Sequence, residues 1–132
     1  MAESIKLELM PAEIVRLEPD QCLTLKFAPC TLEDVALLPE EVRGTAQLAD
    51  GVIYHSWIIT DPDTLSKKWV PAMTLKVTEI DGTAVKRYFR VIQKRLAAVL
   101  IPLAESGVLF ERKIKICRHG KGYTAEYTVE LL

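Results

Sequence analysis

Three clusters in this 132-residue chain set cations beside aromatics: Lys67-Lys68-Trp69; Lys86, Tyr88 and Arg90 at every second position; and Arg118, Lys121 and Tyr123 around Gly120 and Gly122. Cations along a track pair with phosphates, and aromatic faces stack unpaired bases at about 1–3 kcal/mol each. Lys94 and Arg95 open a helix-patterned segment whose first-turn amides already attract anions. Each aromatic also has a structural alternative. Trp69 beside Val70 and Pro71 could anchor a loop, Trp57 falls in an apolar run and reads as core, and Tyr127 shares a strand face with Tyr123, Val129 and Leu131. That leaves Tyr88, on the polar face of its strand, as the leading stacking candidate. Gly120 and Gly122 suit a turn with positive φ, where Arg118, Lys121 and backbone amides would supply any anion contact.

Other chemistries find less support. Cys22, Cys30 and Cys117 are odd in number and spaced by 8 and 87 residues, which suits neither a disulfide framework nor metal knuckles, so buried thiols are expected. His55 and His119 belong to no HxxxH or CxxH pattern, and no serine sits in a GxSxG setting. No metal, no cofactor and no catalytic residue is expected, and the chain does not read as an enzyme. Asp61, Asp63 and His55 are the one acid-base trio that separate strands could still bring together.

Charge is distributed unevenly. Residues 1–66 carry 12 acidic and 4 basic side chains, a net of −8, whereas residues 67–121 carry 13 basic and 4 acidic, a net of +9. A polyanion on the basic side accounts for this polarity, as does mutual neutralisation of the two segments across the fold. The length predicts a single domain over 1–132, and 49% hydrophobic with 27% charged residues is the composition of a globular chain. The richest apolar run, Leu96–Leu103, is far short of the roughly 20 residues of a membrane span. The N-terminus has no basic-then-apolar block, so no signal peptide is expected, and the protein reads as cytoplasmic with no membrane partner.

The elements that must position these residues are mostly strands. Residues 12–17 and 21–28 read as extended runs around Glu18-Pro19-Asp20, and Thr31 with an acid three residues on predicts a short helix to about Leu38, stopped by Pro39. Residues 43–48 and 52–60 predict a hairpin through Ala49-Asp50-Gly51, and 61–70 reads as a loop. Residues 72–80 and 85–92 form the clearest hairpin, closed by Asp81-Gly82-Thr83-Ala84. Leu96, Val99, Leu100 and Leu103 recur at helical spacing over residues 93–105, with a kink or end expected at Pro102 and closure at Ser106-Gly107. A final hairpin joins 110–118 to 123–132. The fold class is α+β, mostly β, with an antiparallel sheet curled into a small barrel, one main helix in the C-terminal half and that final hairpin.

Residues 88–129 carry a resemblance. The strand, the Lys/Arg-Leu helix and the tail Lys113-Ile114-Lys115-Ile116-Cys117-Arg118-His119-Gly120-Lys121-Gly122-Tyr123-Thr124-Ala125-Glu126-Tyr127-Thr128-Val129 are similar to the C-terminal half of bacteriophage-type single-stranded DNA-binding proteins. The match falls on Arg118, Gly120, Gly122, Tyr127 and Val129, with Cys117 and Ala125 standing where the family pattern has Thr. The resemblance implies an OB-like barrel that binds single-stranded DNA regardless of sequence, in replication or recombination of a virus or mobile element. Replication proteins would be further partners, and exposed strand edges in a partly open barrel leave room for a homodimer. The expected site is Lys67, Lys68, Trp69, Lys86, Tyr88, Arg90, Lys94, Arg95, Arg118, Lys121 and Tyr123. The rival is a protein-interaction module, an adaptor or inhibitor binding through the acidic 1–66 segment.

Overall fold

Alternating apolar and polar residues build the strands of this chain, of which the computed structural model describes residues 14–61, 63–122 and 125–132. The strands are β1 (Cys22–Ala28), β2 (Gln47–Ala49), β3 (Val52–Thr60), β4 (Lys67–Ile80), β5 (Thr83–Val91), β6 (Ile114–His119) and β7 (Glu126–Leu131). The helices are α1 (Leu32–Val35), α2 (Glu40–Arg43), α3 (Lys94–Glu105) and α4 (Val108–Glu111). The seven strands pair antiparallel in the order β2-β3-β4-β1-β6-β7, with β5 added to β4. The expected α+β, mostly β class is what is found. Among the described residues the pairings trace an open path and close no ring.

The long strand β4 organises the sheet. Thr74 pairs with Ile53 of β3 on one side and Arg90 of β5 on the other, while Lys76 pairs with Ala28 of β1 and Tyr88 of β5. So β3 and β1 follow one another along one edge of β4, and β5 holds the opposite edge. On one face Leu25, Phe27, Leu75, Val77, Phe89, Ile114 and Ile116 form the main core, closed by Leu96, Leu100 and Ala104 of α3 and Leu109 of α4. Each such side chain contributes about 1.5–3 kcal/mol, and truncating Leu75 to Ala would cost roughly 2–5 kcal/mol. On the other face a smaller core of Cys30, Leu38, Val42 and Ile53 lies beneath α1 and α2, with Val35, Ala46 and Trp57 packed against it.

Both predicted hairpin turns form, with Asp50-Gly51 at φ 52 and 75 and Asp81-Gly82 at φ 49 and 86. Gly51 is doubly required, since a Cβ there would also lie 2.8 Å from the Phe110 ring. Several boundaries differ from expectation. Residues 67–70 are strand rather than loop, because β3 offers them the partners Thr60 to Trp57. The helix expected to reach Leu38 ends at Val35, and Pro39 then caps α2, its fixed φ suiting a helix start. Helix α3 runs through Pro102 to Glu105, and Gly107 at φ 82 closes it. Residues 108–111 are helical, so the final hairpin begins only at Ile114.

The cysteine expectation holds for one residue of three. Antiparallel register sets Cys22 opposite Cys117, and the two are joined by a disulfide across 95 residues of sequence. Closing a loop of that length removes roughly 4–5 kcal/mol of unfolded-chain entropy. Sequence spacing could not show this pairing, because β1–β6 register alone brings the two together. Disulfides persist in oxidising compartments and are mostly kept reduced in the cytosol. Cys30 is a buried free thiol whose Sγ reaches the Thr74 carbonyl at 3.7 Å. Burial, then the charge of Asp34, pushes it up to about 12. No helix among the described residues is long and apolar enough to cross a membrane.

Candidate nucleic-acid interface

Strand β5 alternates Phe89 and Val91 toward the main core with Tyr88 and Arg90 toward the other face. Tyr88 leaves the candidate set there: it is 2% exposed, and its hydroxyl donates to Asp34 Oδ1 beneath α1. Asp34 Oδ2 also accepts the Thr31 amide at 2.7 Å and the Thr31 hydroxyl at 3.1 Å, and lies 3.5 Å from Lys76 Nζ. Burial alone would raise the Asp34 carboxyl. The Tyr88 hydroxyl, the Thr31 donors and Lys76 outweigh it, and the carboxyl titrates below its usual range. The polar side of β5 is thus covered at Tyr88, because α1 brings in a carboxylate that pattern alone does not place.

Two positions further on, Arg90 is not covered in this way. Its guanidinium carbon lies 3.8 Å from the centre of the Trp57 ring, a cation-π contact. Trp57 is in turn met edge-on by His55 at 6.0 Å. His55 Nδ1 donates to the Ser56 carbonyl at 2.9 Å, and in the neutral ring Nε2 accepts the Thr74 hydroxyl at 2.8 Å. Burial lowers the His55 pKa, the Ser56 bond opposes this, and Arg90 lowers it further. Both ring nitrogens are therefore engaged. Asp61 Oδ1 holds the amides of Asp63 and Thr64 in the β3–β4 turn, and these bonds lower its pKa.

Around the junction of β5 with α3 lie two adjoining clefts that share Ile92 and Gln93. One, of about 420 Å³, is lined by Arg16, Arg90, Arg118 and Tyr127 among others. The second, of about 480 Å³, has Lys94 and Arg95 on one wall and Ile59 and Val70 of the β3–β4 hairpin on the other. Gln93 caps α3 in extended conformation without a side-chain bond to the first-turn amides. Arg95 meets Glu126 at 4.0 Å, both highly exposed, a contact of little energy.

Of the expected site residues, Arg90, Lys94, Arg95 and Arg118 are brought together along this groove. Lys67, Lys68 and Trp69 flank it on β4. Strand alternation puts Lys68 on the face of Val70, with Lys67 and Trp69 on the opposite face, so the three do not act as one cluster. Trp69 is 49% exposed. Lys86 is exposed on β5, and Lys121 is exposed in the turn after β6 that carries the expected positive φ at Gly120 and Gly122. Tyr123 lies outside the described residues. Tyr127 lines the first cleft while packing against the main core, as its alternation predicts.

Sequence reasoning missed Arg16, which sits in the acidic half of the chain. Its one signal is the alternation Val15-Arg16-Leu17, where the flanking residues are buried and Arg16 is exposed. It also missed Trp57 as a platform for a guanidinium, since an apolar neighbourhood reads as core. The chain matches no protein-family model, no curated protein and no solved structure.

Proposed function

We propose that this protein binds single-stranded DNA without sequence preference, as a non-catalytic module of viral or mobile-element replication or recombination. The observation that carries this is the groove at the β5–α3 junction, where Arg90, Lys94, Arg95 and Arg118 converge from two strands and a helix start. A track of cations over a width of two clefts suits a phosphate backbone, and Tyr127 in the first cleft and Trp57 against Arg90 supply aromatic surface. The resemblance of residues 88–129 to phage-type single-stranded DNA-binding proteins points the same way. An OB-like barrel is the architecture we attach to it. In support, Val15 N donates to Tyr88 O at 2.8 Å and Arg118 Nη1 donates to Leu17 O at 2.8 Å, so residues 15–17 lie between β5 and β6. Replication proteins are the natural further partners, and the cytoplasm of the host is the place of action, where the Cys22–Cys117 bridge would meet reducing conditions.

The test is fluorescence anisotropy of a labelled oligo-dT about thirty nucleotides long, beyond the footprint of one OB fold. It is titrated at two salt concentrations and competed with duplex DNA and with RNA. Tight, salt-sensitive binding that prefers the single strand is expected. Absence of binding at low salt would overturn the proposal and turn attention to a protein partner.

A further inference from the structure

The first cleft differs from the second in how its charge is held. Arg16, Arg90 and Arg118 all line it, and Glu18 is the one carboxylate among its lining residues. Among the described residues none of the three arginines forms an ion pair. Arg118 is fixed by its bond to Leu17 O, and its Nε is buried without a hydrogen-bond partner among the described residues. Buried donors are almost always satisfied, so a guanidinium with one donor unmet is unusual. Arg90 is held against Trp57 and therefore costs little further ordering when it engages an anion. Burial, and then the nearby charge of Arg16, lowers the Arg90 pKa, as expected of guanidiniums gathered with no counter-ion between them.

We propose that the cleft lined by Arg16, Arg90 and Arg118 receives a phosphomonoester, the phosphorylated end of a DNA strand, so that the protein distinguishes strand ends from strand interiors. This rests on the single-stranded DNA reading above and deepens it. An internal phosphodiester carries one negative charge, whereas a terminal monoester carries nearly two at neutral pH and presents three acceptor oxygens. Three planar guanidinium forks match the second better than the first. The cleft volume of about 420 Å³ falls in the range of small-molecule sites, roughly 300–1,000 Å³, which leaves room for the terminal nucleotide as well as its phosphate. The second cleft, with Lys94 and Arg95 at an open helix start, then holds the backbone that follows.

The full chain is titrated with oligo-dT of about twelve nucleotides, within the footprint of one OB fold, carrying a 5′-phosphate, a 3′-phosphate, or hydroxyls at both ends. One phosphorylated strand is expected to bind about tenfold tighter than the hydroxyl strand, about the worth of one charge-assisted hydrogen bond. Which strand gains identifies the end. Arg16 is exposed, so Arg16→Ala leaves the fold in place and removes the preference, while Arg16→Lys restores only part of it because the fork is lost. Equal affinity for all three strands overturns the proposal and leaves the general DNA-binding function standing. If no strand binds, the DNA reading fails and thymidine monophosphate, read by tryptophan fluorescence through the Arg90–Trp57 contact, decides the cleft alone. A saturable change that Arg16→Ala abolishes keeps the anion site, and no change removes it.

Discussion

Tyr88 and Arg90 stand two residues apart on one face of β5, and the molecule treats them in opposite ways. At Tyr88 every polar group is answered, with Asp34, Thr31 and Lys76 closing a corner beneath α1. At Arg90 an aromatic ring supports the cation from one side while Arg16 and Arg118 line the same cleft, and among the described residues none of these three arginines forms an ion pair. The first arrangement spends its charges on holding two layers together. The second keeps them available, which is costly for stability alone and sensible for capturing an anion. Compensation, more than the presence of cations and aromatics, separates the structural part of this strand from the part we propose to bind.

The sharpest way to break that contrast is Asp34→Ala. It strips the acceptor from Tyr88 and leaves Lys76 unpaired, and should cost about 3–5 kcal/mol of stability by chemical denaturation. Affinity for oligo-dT, measured on the folded fraction, should not change. A lost affinity instead would make the corner part of the groove. Next in size, Arg90→Ala combined with Lys94→Ala should weaken binding by roughly 2 kcal/mol for every sequence tested and make the salt dependence shallower by about two in slope. An unaltered slope would take this strand and helix start out of the interface. Smaller again, Tyr88→Phe should lower stability by about 1 kcal/mol, by leaving one Asp34 oxygen short of a donor, and should leave binding untouched. Loss of binding with an intact melting curve would return Tyr88 to the site.

The smallest effect lies in the pH dependence of stability, and its sign follows from which state takes the proton. His55 has its folded pKa lowered by burial, so the unfolded chain protonates first, and stability present above about 6.5 falls as pH drops toward the folded value. His55→Gln should flatten that window. Asp34 also has a lowered folded pKa. Its contribution is complete above the usual 3.8 and is lost only as pH falls through the folded value, a separate and more acid window. Denaturation midpoints that stay level from neutral pH to about 5 would show that His55 is not held neutral.

The two hairpins were legible because Asp50-Gly51 and Asp81-Gly82 combine a residue tolerant of positive φ with glycine between alternating runs, a local rule that needs no partner. Helix α3 was legible for a similar reason, since Leu96, Val99, Leu100 and Leu103 recur at helical spacing, although Val99 proves exposed and Ala104 is buried with Leu96 and Leu100. The start of β4 was not, because Lys67 and Lys68 become strand only when β3 pairs with them. Arg90, Lys94, Arg95 and Arg118 were legible as cations in a basic segment. Arg16 was not, because it joins them from the acidic half of the chain.

What the sequence by itself determined is therefore everything that rests on neighbours along the chain: the strand periods, the turns, the helix face and the excess of cations after residue 66. What only the tertiary structure decided is which side chains are compensated. Cys22 meets Cys117, Asp34 meets Tyr88, and Arg16 meets Arg90 through sheet register and chain crossing. Electrostatic cost and burial depend on what lies within a few ångströms in space, and separations of 95 and 54 residues carry no such information.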